Sequence, residues 1–231
     1  MNKYKTLLFD LDGVILDFKR AEEYSFSQTF KKIGIEVTDN FFQTYHELNQ
    51  KLWKAFELGQ VTKDEVTIGR FKQFFELMNI DYPYERFAKD YQDGLADGYF
   101  LMPNAKELLE DLSKSYRLFA VTNGVSKTAL KRLKGTDTLQ YFQDVFVSED
   151  LHAQKPSMEY FNQVFERIED FDPKTTLLIG DSLSSDIQGA NNASLESCWI
   201  NLNKEINSSK AVPTYEVHQL IDLYKILVKR V

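Results

Sequence analysis

The sequence predicts an α/β fold in which a doubly wound parallel sheet carries an inserted bundle of helices. From residue 103 onward, helical stretches alternate with short apolar segments, which is the pattern of a parallel sheet with helices on both faces. Residues 17–98 instead place aromatic and aliphatic side chains at helical spacing. One more apolar strand, at residues 6–9, precedes this insert. We therefore expect a discontinuous core of residues 1–16 and 99–231 and a helical cap of residues 17–98.

The predicted elements follow from local patterns of apolar residues and helix breakers. Gly34, Gly59 and the turn at residues 81–83 separate the helices of the insert. The predicted cap helices are residues 21–33, 40–58, 63–78 and 84–95. The predicted strands after the insert are residues 118–121, 145–147, 176–179 and 197–202.

Two carboxylates, Asp10 and Asp12, stand where the first strand ends and Gly13 follows. Ligands of open parallel sheets bind beyond the carboxyl ends of the strands. Ionised carboxylates near an interior need an ion-pair partner or a metal, and oxygen ligands favour a hard cation such as Mg²⁺. An ordinary turn is the alternative, since Asp often precedes Gly in turns. The pair alone leaves both interpretations open.

Further polar motifs come at the ends of later strands. Thr122-Asn123-Gly124 follows the second predicted strand and precedes a helix at residues 126–133, where free backbone amides attract phosphate. Lys155-Pro156 opens a predicted helix at residues 157–168, with the proline in its first turn.

Two more acids, Asp181 and Asp186, follow the strand at residues 176–179. Each of these later motifs also has an ordinary structural explanation, as a helix cap or a solvated charge. Their common placement after strands favours a single site at one edge of the sheet.

Taken in this order, the motifs resemble those of the haloacid dehalogenase superfamily of aspartate-nucleophile phosphatases, and the resemblance covers nearly the whole chain. That family has a Rossmann-like core and four motifs. They are matched here by Asp10 with Asp12, Thr122, Lys155, and Asp181 with Asp186. Within the insert, residues 49–53, Gly59 and residues 69–71 are similar to the branch of pyrimidine 5′-nucleotidases, which also act on noncanonical nucleotides.

The resemblance implies a role for each matched residue. Asp10 would be the nucleophile that forms an aspartyl-phosphate, and Asp12 the general acid and base. Mg²⁺ would be bound by Asp10, Asp181 and the backbone carbonyl of Asp12, with Asp186 orienting a metal-bound water or the lysine. The phosphoryl group would be held by Thr122, the amides of Asn123 and Gly124, and Lys155.

The implied reaction is Mg²⁺-dependent hydrolysis of a small phosphate monoester, with a nucleoside 5′-monophosphate favoured, which would place the chain in nucleotide metabolism. Asp12 argues for phosphoryl transfer, because dehalogenases of this fold lack an acid there. A sugar-phosphate phosphatase or a mutase like β-phosphoglucomutase is the alternative, since such mutases also have Asp-Gly-Val after the first strand. A regulatory protein that only retains the fold is the third hypothesis, and the intact motifs argue against it.

Substrate recognition is predicted for three residues of the cap. Trp53 could stack on a base, and Asn49 or Arg70 could hydrogen-bond its edge. The alternative is that the aromatic residues at helical spacing form the bundle core and that Arg70 pairs with a neighbouring acid.

Composition excludes several classes of partner. With 28 basic and 35 acidic residues, the net charge of −7 predicts no binding to polynucleotides or anionic membranes. The single cysteine, Cys198, has no partner for an internal disulfide and suits a reducing compartment. The start of the sequence lacks a signal-like apolar stretch, so we expect a cytoplasmic protein. Monomer and homodimer both remain open.

Overall fold

The computed structural model describes residues 3–227. They divide into two compact units, each described by itself below. The first combines the residues up to Phe18 with those from Tyr99 onward, and the second is Lys19–Gly98. No helix within residues 3–227 is long and apolar enough to cross a membrane.

The first unit is built on a six-stranded sheet, in which every pairing of neighbouring strands is parallel. The strand order is β3-β2-β1-β4-β5-β6. The strands are β1 (Thr6–Phe9), β2 (Arg117–Thr122), β3 (Asp144–Val147), β4 (Thr176–Gly180), β5 (Glu196–Ile200) and β6 (Tyr215–Val217). The predicted α/β class is confirmed, while the short edge strand β6 was not predicted from the sequence.

Successive side chains of β1 point to opposite faces of the sheet, and both faces are covered, which explains why Leu7, Leu8 and Phe9 are all apolar. Leu7 and Phe9 pack into the apolar layer on one face of the sheet, and Leu8 packs into the layer on the other. A strand covered on both faces has no solvent side and therefore needs apolar residues throughout. Phe9, the last residue of β1, lies opposite Ala120 of β2 and Ile179 of β4, so these three strands end within two residues of one another at the same edge.

The second unit is helical throughout. It contains most of α1 (Phe18–Lys32), then α2 (Asp39–Glu57), a π-helical turn (Glu65–Gly69) that leads into α3 (Arg70–Met78), and α4 (Tyr84–Ala96). Aromatic rings fill its interior, where Phe26, Phe30, Tyr45, Phe71 and Phe74 are fully buried. The aromatic residues at helical spacing in this stretch therefore include the bundle core.

Helices of the first unit lie between its strands, except for the last one, which follows β6. They are α5 (Ala105–Leu112), α6 (Ser126–Gly135), α7 (Ser148–Leu151), α8 (Met158–Arg167), α9 (Gln188–Asn192) and α10 (Tyr224–Leu227), with a π-helical turn at Leu183–Ile187. The prediction for Pro156 was wrong, because α8 begins only at Met158 and its N-cap is Ser157, whose side chain accepts from the amide of Tyr160. Pro156 lies ahead of this cap, after a cis peptide bond. A side-chain cap satisfies the free amides at the helix start without proline.

Candidate active site

Lys155 is the centre of a buried cluster of charges at the carboxyl edge of the sheet. Its side chain is almost completely buried, and its Nζ lies 2.6 Å from Oδ1 of Asp10 and 2.6 Å from Oδ1 of Asp186. A third hydrogen bond, of 2.9 Å, goes to the carbonyl oxygen of Val121 at the end of β2. These three contacts match the three donors of an ammonium group, so its position is fixed.

The acids of this cluster outnumber its ammonium group. Asp10, Asp181 and Asp186 each offer a carboxylate oxygen, and these oxygens lie within 4.8 Å of one another. Burial raises the pKa of Asp10, and the charge of Lys155 offsets this only in part. The pKa of Asp181 is raised well above its ordinary value. The larger cause is desolvation by the surrounding protein, and the negative charges of Asp10 and Asp186 add to it. Such a group of oxygens fits a hard divalent cation, which would relieve the repulsion.

Burial alone would lower the pKa of the Lys155 ammonium. The carboxylates of Asp10 and Asp186 outweigh that effect and raise this pKa above its ordinary value. The lysine is therefore a permanent cation of the cluster.

The two acids after β4 have different surroundings. Asp186 is fully buried; Lys155 donates to one of its oxygens, and the amide of Ser182 donates to the other at 3.1 Å. Asp181 is an exposed residue. Its carboxylate lies against Gly13, and a Cβ atom added to Gly13 would come within 2.1 Å of Oδ2 of Asp181. Gly13 has φ of 82° and leaves no room for a side chain, so glycine is required at this point.

Thr122, Asn123 and Gly124 lie at the end of β2, as predicted. The amide of Gly124 donates to Oγ1 of Thr122 at 3.0 Å. The side chain of Asn123 has a contact that sequence reasoning missed: it donates to the carbonyl oxygen of Lys155 at 3.0 Å and accepts from the Lys155 amide at 2.9 Å. The Asn123 side-chain amide thus bonds both the N–H and the C=O of Lys155, as the backbone of a neighbouring strand would, and this fixes the backbone position of the lysine.

Asp12 does not join the Lys155 cluster through its side chain. Its Oδ1 accepts a hydrogen bond of 2.5 Å from NH1 of Arg132, a residue of α6 whose side chain is 1% exposed, whereas that of Asp12 is 34% exposed. Sequence reasoning missed Arg132. Its one signal was a position on the buried face of α6, beside Ala129 and Leu133.

The predicted recognition residues all lie in the second unit, and the structure brings two of them together. Arg70 donates to Oδ1 of Asn49 at 2.6 Å, and Asn49 donates to Oε1 of Glu22 at 2.6 Å. Asn49 and Arg70 are both buried. Trp53 packs beside the small apolar cluster of Leu52, Phe56 and Val66, with the ammonium of Lys63 lying 4.7 Å from the centre of the Trp53 ring system.

Comparison with known proteins places this geometry in a family. The haloacid dehalogenase-like hydrolase family matches residues 7–200 of the chain. YfnB of Bacillus subtilis is 42% identical over 231 residues, covering 98% of this chain and 97% of that protein. A protein of Streptococcus pneumoniae named pyrimidine 5′-nucleotidase PynA is 37% identical, covering 99% and 97%. The pyrimidine 5′-nucleotidase YjjG of Escherichia coli is 27% identical, covering 98% and 99%.

A solved structure agrees with these sequence matches. The crystal structure of YfnB has a TM-score of 0.92 at 41% identity and covers 97% of this chain and 99% of that one. That structure is described as bound to magnesium and as revealing interdomain movement. The chain therefore belongs to the haloacid dehalogenase-like hydrolase family, as a phosphatase whose relatives include two proteins named pyrimidine 5′-nucleotidases.

Proposed function

We propose that this protein hydrolyses nucleoside 5′-monophosphates in a Mg²⁺-dependent reaction, with Asp10 as the nucleophile. One observation carries the proposal: Lys155 holds Asp10 at the end of β1 while Asp181 and Asp186 place two further acids within reach of the same point. A phosphate monoester is an anion, and a carboxylate attacks its phosphorus only where cations neutralise the phosphoryl oxygens. A fixed ammonium beside a fixed nucleophile meets part of that need.

In the first step, a carboxylate oxygen of Asp10 forms a bond to phosphorus, and the bond from phosphorus to the ester oxygen breaks. Asp12 gives a proton to the departing oxygen. In the second step, Asp12 takes a proton from water, the water oxygen bonds to phosphorus, and the bond to Asp10 breaks. Thr122 and the amides of Asn123 and Gly124 hold the phosphoryl oxygens throughout, for which the Gly124 amide exchanges its hydrogen bond to Oγ1 of Thr122 for one to the substrate.

The acidic cluster suits Mg²⁺. Carboxylate oxygens of Asp10 and Asp181, with the backbone carbonyl of Asp12, would hold the ion, which supplies positive charge opposite the phosphoryl oxygens when bound. Asp186 is assigned to positioning, because Lys155 and the Ser182 amide already engage both of its oxygens.

The nucleotide preference rests on the relatives named pyrimidine 5′-nucleotidases. Base recognition by Asn49, Trp53 and Arg70 stays a prediction. Two of the three keep a feature suited to it, since Nε1 of Trp53 and Nε of Arg70 are buried and have no hydrogen-bond partner among the described residues. The cytoplasmic location also stays a prediction.

Phosphate release from a panel of nucleoside 5′-monophosphates and phosphosugars, with Mg²⁺ and with chelator, tests this function. We expect metal-dependent turnover that favours pyrimidine monophosphates and is absent in Asp10→Asn. The variant Asp111→Asn removes an exposed acid of α5 and is the matched control. A preference for phosphosugars would move the substrate to the alternative class, and interconversion of two phosphosugars without phosphate release would indicate a mutase.

A further inference from the structure

The two oxygens of the Asp12 carboxylate have different surroundings. Arg132 donates to Oδ1 at 2.5 Å. Oδ2 faces the turn after β2, where a Cβ atom on Gly124 would lie 3.8 Å from Oδ2 and 3.2 Å from Oγ1 of Thr122. One oxygen is therefore engaged by an arginine, and the other is directed to the turn assigned to phosphate binding.

Arg132 is itself firmly held. It is buried on α6, the helix that begins two residues after Gly124. Its NH2 group lies 3.5 Å from the carbonyl oxygen of Asp17, and its guanidinium carbon lies 6.0 Å from the ring centre of Phe18. The arginine thus connects the Asp12 side chain to α6 and to the segment just after β1.

We propose that Arg132 is a positioning residue for the general acid and base of this reaction. It fixes the Asp12 carboxylate so that Oδ2 faces the ester oxygen of the substrate. This inference rests on the proposed phosphatase function and adds to it a residue outside the four motifs.

The chemistry of arginine gives this contact a further consequence. A guanidinium group has donors only, so the oxygen that it holds must accept. The proton that Asp12 transfers is therefore confined to Oδ2, the oxygen beside the phosphate-binding turn. Without Arg132, the partly exposed Asp12 side chain can rotate among other staggered rotamers, and the proton is no longer directed to the leaving oxygen.

The dependence of the rate on the leaving group tests this role. Arg132→Gln is compared with wild type in kcat/KM for a nucleoside monophosphate and for p-nitrophenyl phosphate, both with Mg²⁺. An alkoxide needs a proton to leave and a nitrophenolate does not. We expect a loss on the order of 100-fold for the nucleotide, the scale of general acid catalysis, and only a loss of about 3-fold for the aryl ester.

A second readout follows from the second step, which needs Asp12 as a base for both substrates. With p-nitrophenyl phosphate, Arg132→Gln should release about one nitrophenolate per active site in a fast burst and then turn over slowly. An arginine with only a structural role would give neither the selective loss nor the burst.

Arg117→Gln is the matched control, because Arg117 also makes two hydrogen bonds, at 2.6 and 3.1 Å, but lies at the first residue of β2, the other end of that strand from the site. If Arg132→Gln does not fold, Arg132→Lys keeps the positive charge and is used instead. Its kcat/KM for the nucleotide should fall by about 10-fold more than its kcat/KM for p-nitrophenyl phosphate. Equal losses on both substrates, or no loss, would overturn the inference while leaving the phosphatase function intact. Failure of the wild type to hydrolyse either ester would overturn both.

Discussion

Each unit of the protein contains a buried cluster of charged side chains, around Lys155 in the first and around Glu22 in the second, and the two clusters differ in their balance. In the first unit, the ammonium of Lys155 contacts the carboxylates of Asp10 and Asp186, and a carboxylate oxygen of Asp181 lies within 4.8 Å of oxygens of both acids. In the second, the Glu22 carboxylate is linked through Asn49 to the guanidinium of Arg70 and is also bonded to His46 at 2.6 Å.

The balance explains what each cluster does. In the second cluster, the negative charge of Glu22 is balanced by the positive charge of Arg70 through Asn49, and a buried charge needs such compensation. The charges of the Lys155 cluster are not balanced: desolvation by the surrounding protein, and then repulsion between the acids, raise the pKa values of Asp10 and Asp181. We infer that the unbalanced cluster is a binding site for a cation and that the balanced one stabilises the bundle.

The largest effect is expected for Asp10→Asn. The variant lacks the nucleophile, so phosphatase activity should fall on the order of 10⁴-fold or more. Because it also removes one of three mutually repelling acids, its melting temperature in chelator should equal or exceed that of wild type. Calorimetry with an activity assay measures both. A marked loss of stability would mean that Asp10 and Lys155 form a compensated pair, and the contrast between the clusters would fail.

Arg70→Met should instead destabilise the protein. It leaves Glu22 buried without the compensating guanidinium, at a cost of about 3–5 kcal/mol. Denaturant unfolding followed by Trp53 fluorescence, in a Trp199→Phe background, reports on the second unit. Arg86→Met, at an exposed position of α4, is the control and should change stability by less than about 0.5 kcal/mol. Equal effects of the two variants would contradict the assignment.

Mg²⁺ should stabilise the wild-type protein through the first cluster. An ion at about 100 times its dissociation constant adds about 2.7 kcal/mol. The gain should be mostly lost in Asp181→Asn and retained in Asp111→Asn. Thermal unfolding with and without Mg²⁺ measures it. A gain that survives in Asp181→Asn would place the ion elsewhere.

The smallest effect is a pH dependence of the second cluster. The hydrogen bond to Glu22 raises the pKa of His46 above its ordinary value. A raised folded-state pKa means that protonated His46 stabilises fully below about pH 6.5, and that this contribution is lost as the pH rises through the folded pKa. The difference in unfolding free energy between wild type and His46→Gln should therefore shrink with rising pH. A difference that grows with pH would contradict the assignment.

Much of the fold could be read from the sequence because its signals are local. The apolar run of β1 and the alternation of strands and helices after residue 103 follow from neighbouring residues, and the structure confirms them. The edge strand β6 has three residues, two of them polar or half-exposed, and gives too short a pattern. Pro156 was misplaced because proline marks a helix start only approximately, whereas the Ser157 cap decides where α8 begins.

The sequence by itself determined which side chains stand at the strand ends, since strand ends and turns are written in consecutive residues. The tertiary structure decided their partners. Arg132 meets Asp12 across 120 positions of the chain, and Asn123 meets Lys155 across 32. Such contacts depend on which strands pair and which helix faces are buried, so they leave no mark on the spacing of residues. The motif residues can therefore be recognised from neighbouring positions in the sequence, whereas the residues that orient them are brought into contact only by tertiary packing.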